Sequence, residues 1–540
     1  MSLLASLLGT AHKHQVSHLN AESLEPRSML AADLAVSVGE VDSPYSRKFR
    51  SQEVDAPITI TNVGDETFRG RFEVNLFLSR DDQVGNDYQI NSRTFNLVLA
   101  PGQTIRPNLN TRMPYDLFGI NGGGRLNAGD YQVRASIVFL NGAIDGSTEN
   151  NTAFSSDTLP LTYIFGGPSS QNSNRNVLTV LTPNLTTVTF ELRGPGIGQI
   201  LTENQRMIMR LDGTTTKSRL TTIVRPGAAN ALTLELDGVQ INGSLGNFGG
   251  SRVDVIGNFA VTGSLLNIQL STLANSAWSI EGDLPLSGTI QTIINASLDS
   301  TPYIKNLVVG SWTNTDQSSD IIVAPSIDRL TVRGDFAPAL GITGAGLGLN
   351  TPAINRLRVN GVPTGRWDVT GNVNAITLSQ TADSFSLNVN GDVKNLTVSN
   401  TLRGIIAGLN FTSISAGSIV NGSILAGTYL GSDSNIGGTG IAADTFTRGL
   451  INVLKVRGNV SASTLIAAGL DPVNDRFIDG DDVHASKDAL IAQLNISGDL
   501  SQSSRVSAPF ILKAFSRGRA IDVYNDERFL VALGFEGLGT

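Results

Sequence analysis

A short phrase recurs through the C-terminal two-thirds of this 540-residue chain, and its spacing restricts the fold more than any bulk property. It reads "IKNLVVG" from Ile304, "IDRLTVRGDF" from Ile327, "INRLRVNGV" from Ile354, "VNAITLSQ" from Val373 and "VKNLTVSN" from Val393. It returns as "FTSISAGSI" from Phe411, "INVLKVRGNV" from Ile451 and "IAQLNISGDL" from Ile491. Successive copies lie 23, 27, 19, 20, 18, 40 and 40 residues apart. A period near 20 with two apparent doublings marks a solenoid. Each phrase places apolar residues at i, i+3 and i+5, then Gly or Asn, which describes a turn entering a short strand. Leu330 and Val332 are expected to point inward, with Thr331 and Arg333 outward. One such strand cannot bury its face alone. Coils stacked about 4.8 Å apart bury a continuous aliphatic column and pair each backbone edge with the next coil. We therefore expect a parallel β-helix over 177–515, with weaker early copies such as "RVDVIGNF" from Arg252. A C-terminal cap or tail is expected over 516–540.

Asn recurs beside these turns, in "NGSL", "NASL", "NLTV", "NFTS", "NGSI", "NVSA" and "NISG". Formally these are glycosylation acceptors. The structural reading is that Asn tolerates left-handed turns and stacks in hydrogen-bonded ladders.

Composition excludes several function classes. Charged residues make up only 16% of the chain, and acids outnumber bases 47 to 39 for a net charge of −8. A nucleic-acid partner needs a basic face, so none is expected. Cysteine is absent, which removes disulfides, thiolate metal sites and cysteine nucleophiles together. No apolar run reaches the roughly 18–20 residues of a membrane-spanning helix. The start "MSLLASLLGTAHKHQ" places Lys13 after its apolar patch instead of before it, so it reads poorly as a standard signal peptide.

Residues 1–32 form a leader that looks unable to fold. From Asp33 to about residue 165 the pattern becomes alternating: "DLAVSVGEV", "APITITNVGDE", "RFEVNLFLSRDDQVGNDYQI", "TFNLVLAPGQTI" and "AGDYQVRASIVFLNG". Ile58, Ile60 and Val63 nearly alternate with Thr59 and Thr61. Gly64-Asp65, Pro101-Gly102 and Gly129-Asp130 punctuate the strands. About seven short strands at this spacing argue for an immunoglobulin-type antiparallel β-sandwich. A Gly/Ser/Asn-rich linker covers 166–176. The expected class is thus all-β, a sandwich followed by a parallel β-helix.

The order of these landmarks resembles the cell-adhesion-related domain found in bacteria (CARDB). The resemblance covers about 130 residues: "ITNVGDE", "VNLFLSRDD", "LAPGQT", "AGDYQVRASIV" and "DGSTENNTA". It implies an extracellular immunoglobulin-like module that serves as a spacer or binding unit. In the leader, "LEPRSML" resembles the LEPR-XLL motif of large repetitive bacterial surface and exported proteins. Leu24, Glu25, Pro26, Arg27 and Leu30 match, with Met29 in place of the first Leu of the pair. The resemblance implies an export address. Cleavage near Ala31-Ala32 would then leave a mature chain starting close to Asp33.

Candidate chemistry is sparse. His12, His14 and His18 lie in the leader and His484 in a late loop, so no histidine-based triad is expected on the solenoid body. β-Helices include polysaccharide lyases and hydrolases, which need clustered carboxylates on a lateral face. Here acids fall singly, as at Asp254, Asp328 and Asp335, and Trp278, Trp312 and Trp367 are widely separated. One cluster stands out, "GLDPVNDRFIDGDDVHAS". Asp471, Asp475, Asp479, Asp481 and Asp482, with a sharp turn at Gly480, can wrap a hard cation such as Ca²⁺, although the spacing is not that of an EF-hand. A solvated acidic loop, extruded between two strand-like segments, is the plainer reading. Asp81, Asp82, Asn86 and Asp87 pose the same question, and a hairpin turn accounts for them. The function expected is an exported cell-surface structural or adhesin-like protein, with an unspecified surface polysaccharide or protein ligand. A carbohydrate-active β-helix enzyme is the alternative.

Overall fold

The computed structural model describes residues 31–43, 45–46, 51–81, 83–85, 87–114, 129–161, 163–167, 176–181, 186–203, 206–225, 233–316, 318–348, 350–433, 436, 440, 443–471 and 482–531. The protein is all-β, and no helix forms among the described residues. The chain divides into two compact units. One takes its described residues from Met1–Pro44, Glu53–Arg112 and Tyr131–Leu159, the other from Tyr45–Gln52, Met113–Asp130 and Pro160–Thr540.

Two larger antiparallel sheets lie in the first unit, beside a short antiparallel pairing of Glu53–Val54 with Thr111–Arg112. Leu34–Val38, Ile58–Asn62 and Thr104–Ile105 make one, in that order. Thr152–Phe154, Gly129–Leu140, Phe68–Ser79 and Tyr88–Leu99 make the main path of the other. Phe72, Val74, Leu76 and Leu78 are buried on one side of their strand, the alternation that a half-covered sheet imposes. One expected inward residue is misplaced. Val63 is 55% exposed, and Asn62 takes the buried position after Ile58 and Ile60. An amide can sit there because it is fully used. Its Nδ2 donates to the carbonyls of Glu66 (2.8 Å) and Leu99 (2.9 Å), and its Oδ1 accepts from the N–H groups of Asp33 and Gly64 (both 3.2 Å). Buried polar groups persist when paired in this way.

The second unit is a solenoid-like stack dominated by parallel pairing, and its register is that of the sequence phrase. Ile304 pairs with Ile327, Ile327 with Ile354, Ile354 with Val373 and Val373 with Val393. Leu307, Leu330, Leu357, Ile376 and Leu396 form the adjacent column in the same ladders. Ile327, Leu330 and Val332 are fully buried, while Arg333 is exposed, as the i, i+3, i+5 pattern requires. Along another interior edge, rings stack edge to face: Trp312 on Phe336 (6.0 Å between centroids), Phe336 on Trp367 (5.6 Å) and Trp367 on Phe385 (4.8 Å). Such pairs contribute roughly 0.5–1.5 kcal/mol each beyond their burial.

The ends depart from the expected uniform repeat. The chain joins this sheet at Ile164–Gly166, which pairs antiparallel with Ile197–Gln199. Val177–Leu181, Thr187–Arg193 and Arg219–Arg225 are likewise antiparallel. Parallel stacking begins where Arg206–Thr214 meets Gly238–Gly243. Hairpins at the start satisfy their own edges, which a first parallel coil cannot do. At the other end Phe529–Leu530 still pairs parallel with Val506–Ser507, so stacking continues past residue 515.

The two 40-residue intervals are not pairs of coils. Phe411 pairs directly with Ile451, and Ile451 with Ile491. Each interval is therefore one coil carrying an excursion. The first excursion leaves and returns through a neck at Gly427 and Gly449. Gly427 has a left-handed φ of 76°, and a Cβ on it would strike the Thr447 carbonyl and the Gly449 nitrogen. Only glycine lets the two backbones pass. Thr428–Tyr429 and Thr445–Phe446 pair antiparallel as the stem. The second has a matching stem, Leu470–Asp471 with Val483–His484.

Candidate functional site

The excursions are where the stack departs from simple alternation. Leu465, Ile466, Ala467 and Ala468 are all buried, so both faces of that strand are covered. Ala407, Leu425, Leu430, Leu465, Ala467 and Leu470 form one apolar cluster, with Ile405 and Ile436 packed against it. Leu430 comes from the first excursion, and Asn388 of a neighbouring coil clamps its backbone. The Asn388 Oδ1 accepts the Leu430 N–H at 3.0 Å, and its Nδ2 donates to the Leu430 carbonyl.

Two acids of the Asp471–Asp482 cluster are described, both beside the second stem. Asp471 sits in the stem, opposite Val483, and Asp482 is buried. Asp475, Asp479 and Asp481 lie outside the described residues. Among the described residues no group of three or more His, Asp or Glu side chains is placed to hold a metal. Within the first unit, Asp87 of the hairpin is committed elsewhere. Its carboxylate accepts from Arg134 Nε at 2.6 Å, both side chains being almost wholly buried, and the guanidinium lies 3.9 Å over the Phe77 ring. Asp81 is described there, whereas Asp82 and Asn86 are not.

His484 is not in an open loop, as its sequence context suggested. The stem buries it on the solenoid, with Nε2 at 3.1 Å from the Ser507 Oγ. Ser507 is fully buried, so this pair fastens the stem to a coil and offers no nucleophile to solvent. The signal in sequence was weak: one His among small residues, 23 positions from its partner.

The tryptophans are also relocated. Trp278, Trp312 and Trp367 are fully buried, and Phe336 joins the last two. They are core, and unavailable for stacking on sugar rings. Two acids of the solenoid do not stand singly. Asp316 and Asp320 share the turn between Ile304–Thr313 and Ile321–Ala324. Bonds from Ser318 hold the exposed Asp316 carboxyl below the usual range. Burial, and secondarily the Asp316 charge, pushes Asp320 up. Two carboxyls with opposed shifts are one arrangement from which acid–base pairs are made.

The turns are lined by Asn ladders. Asn275 and Asn295 adopt left-handed φ near 50°. Asn295 Nδ2 donates to Asn275 Oδ1 at 3.2 Å, and its own Oδ1 accepts the Thr315 N–H at 2.6 Å. Asn374 donates to Asn355, and Asn355 to Asp328.

Leu24, Glu25, Pro26, Arg27 and Leu30 lie outside the described residues. Ala31 and Ala32 are described and held. The Ala31 N–H donates to Asp65 Oδ1 at 3.0 Å, and the Ala32 carbonyl accepts from Gly146 at 2.8 Å.

No protein-family model matches the chain, and no curated protein matches it. Among solved structures, a β-glucosidase from Paenibacillus barengoltzii is similar over 28% of this chain and 17% of its own, at 18% identity and a TM-score of 0.15. That likeness carries no argument about fold or activity.

Proposed function

We propose that this is an exported bacterial surface protein of structural or adhesin-like type. An immunoglobulin-like, CARDB-type module is followed by a parallel β-helix that holds a binding face away from the envelope. The observation that carries this reading is the in-register stacking of successive coils. Ladders from Ile304 to Val393 and from Phe411 to Ile491 keep like residues over like, and the turns are tied by amide bonds. Such a stack is stiff and quasi-one-dimensional, which suits a spacer. The LEPR-XLL-like string supports export. With Ala31 and Ala32 bonded to the folded unit, cleavage there would have to act on the chain before that unit forms. The test is mass spectrometry of protein recovered from fractionated native cells. A mature N-terminus near Asp33 in the envelope or medium supports the reading. An intact Met1 in the cytoplasm overturns it.

The second reading is a polysaccharide lyase or hydrolase, and Asp316 with Asp320 is the observation that favours it. It requires cleavage of an acidic or neutral glycan that Asp320→Asn abolishes without unfolding the chain. Turnover unchanged by that substitution rejects these carboxyls as the catalytic pair.

A further inference from the structure

The repeated phrase carries a second pattern on its outward positions. Segments 304–310, 327–333, 354–360, 373–379 and 393–399 occupy five consecutive coils. They expose Lys305, Arg329, Arg333, Arg356, Arg358 and Lys394 against one carboxylate, Asp328. This occurs in a chain whose acids exceed its bases by eight. Arg329 and Arg356 are direct ladder partners, as are Thr331 and Arg358, so two guanidinium stems leave the sheet about 4.8 Å apart. Like charges in register destabilise a sheet, whereas the neighbouring Asp328–Asn355–Asn374 column stacks hydrogen-bonding partners instead. Among the described residues no ion pair reaches any of the six cations. The nearby acids are otherwise engaged. Asp328 accepts from Asn355 Nδ2 (2.6 Å), Asp335 from the Val362 N–H (2.9 Å) and Asp392 from Asn410 Nδ2 (2.7 Å). Arg358 is aimed by its own Nε bond to Asn360 Oδ1 at 2.8 Å.

We propose that this sheet face docks a linear acidic polysaccharide lying along the stack. The cations stand on four of the five coils, with 373–379 carrying none, and span about 20 Å, which fits an extended polyanion better than a single compact anion. Hydroxyls and amides stand between them, at Asn306, Thr331, Thr377 and Thr397, and these match sugar hydroxyls. No aromatic residue occupies an outward position of the five segments. Single-stranded nucleic acid is held chiefly by base stacking on aromatics, so the glycan is the occupant this surface favours. The proposal deepens the surface-protein reading and takes its biological setting from it. Glycan binding by a chain retained in the cytoplasm sinks that reading alone, and an exported chain that ignores acidic glycans sinks this one alone.

The experiment is binding of the full chain at low salt to polygalacturonate, with neutral dextran and an oligothymidylate in parallel. Polygalacturonate should bind, dextran should not, and binding should weaken as salt screens the charges. Replacing three exposed charges, in Arg329→Gln/Arg356→Gln/Arg358→Gln, should cost about tenfold in affinity. Arg210→Gln/Arg403→Gln, which removes two arginines already paired with Asp212 and Asp383, should leave affinity unchanged. Circular dichroism checks folding. If the triple variant misfolds, Lys305→Gln/Lys394→Gln serves in its place with a smaller loss. Wild-type affinity in a folded variant overturns the proposal. So does the absence of polygalacturonate binding, or tighter binding of the oligothymidylate through the same arginines.

Discussion

Leu430→Ala is the perturbation that best separates the excursions from the stack they cover. The Leu430 side chain is fully buried in the external apolar cluster, not in the interior columns. Truncating a buried Leu removes its transfer energy and leaves a cavity, at about 2–5 kcal/mol. Coils feel mainly their nearest neighbours, so that loss should fall on local opening of the excursion and not on the whole stack. Even 2 kcal/mol corresponds to roughly 30-fold in an opening equilibrium. Hydrogen exchange reads it directly. The Leu430 N–H, protected by Asn388 Oδ1, and the stem of Thr428–Tyr429 with Thr445–Phe446 should exchange at least about 30-fold faster. Amides around Leu330 and Leu357 should not change. Equal acceleration along the entire ladder would refute the reasoning, because the excursion would then be integral to the stack. No acceleration at Leu430 would refute the packing itself.

Other outcomes follow from particular contacts. Trp367→Ala removes the centre of the Phe336–Trp367–Phe385 stack and should cost about 3–5 kcal/mol, measured by denaturant melting of the full chain. His484→Ala leaves the buried Ser507 hydroxyl without that partner and should cost about 1–3 kcal/mol, with proteolytic nicking near the second stem as the readout. Asp320 sets a pH dependence. Its raised carboxyl means that the folded chain holds this proton more tightly than the unfolded chain does. The associated stability is complete below the ordinary aspartate value, about 3.9, and is lost as pH rises through the raised one. Asp320→Asn should therefore raise the melting temperature at pH 7 and change it little near pH 3, while a lowered melting temperature at pH 7 would contradict the assignment.

The interior of the solenoid was legible because one rule generates it. Residues at i, i+3 and i+5 must be apolar in every coil, and the spacings 23, 27, 19 and 20 in the sequence are the ladder steps from Ile304 to Val393. The two 40-residue steps resemble doublings of the period because a doubled interval has two solutions, a second coil or an excursion, and only the acidic stretch of the second reads as an extruded loop. The sequence did hold a discriminating signal. "ILAG" and "LIAAG" are apolar without alternation, which in a strand means that both faces are covered. The antiparallel start was not legible, since strands such as Thr187–Arg193 alternate identically in either pairing direction. Asn62 misled for a different reason: a buried amide satisfied by four bonds looks like a turn residue in sequence, and Val63 beside it like core. The candidate site was legible only in part. The basic residues of "IDRLTVRG" and "INRLRVNG" are plain in each phrase, but their meaning appears only when the phrases are set in register.

That register underlies the stack, the excursions and the cationic face alike, and a disulfide measures it. The chain contains no cysteine, so Ser413→Cys/Val453→Cys introduces a single pair. These positions are direct partners on adjacent coils, about 4.8 Å apart and within disulfide reach. Rapid, near-complete crosslinking under mild oxidation, seen as loss of free thiol and confirmed by peptide mass, is the predicted result. If the 40-residue interval held two coils, the pair would stand about 10 Å apart, and persistence of both free thiols in the folded chain would contradict the account.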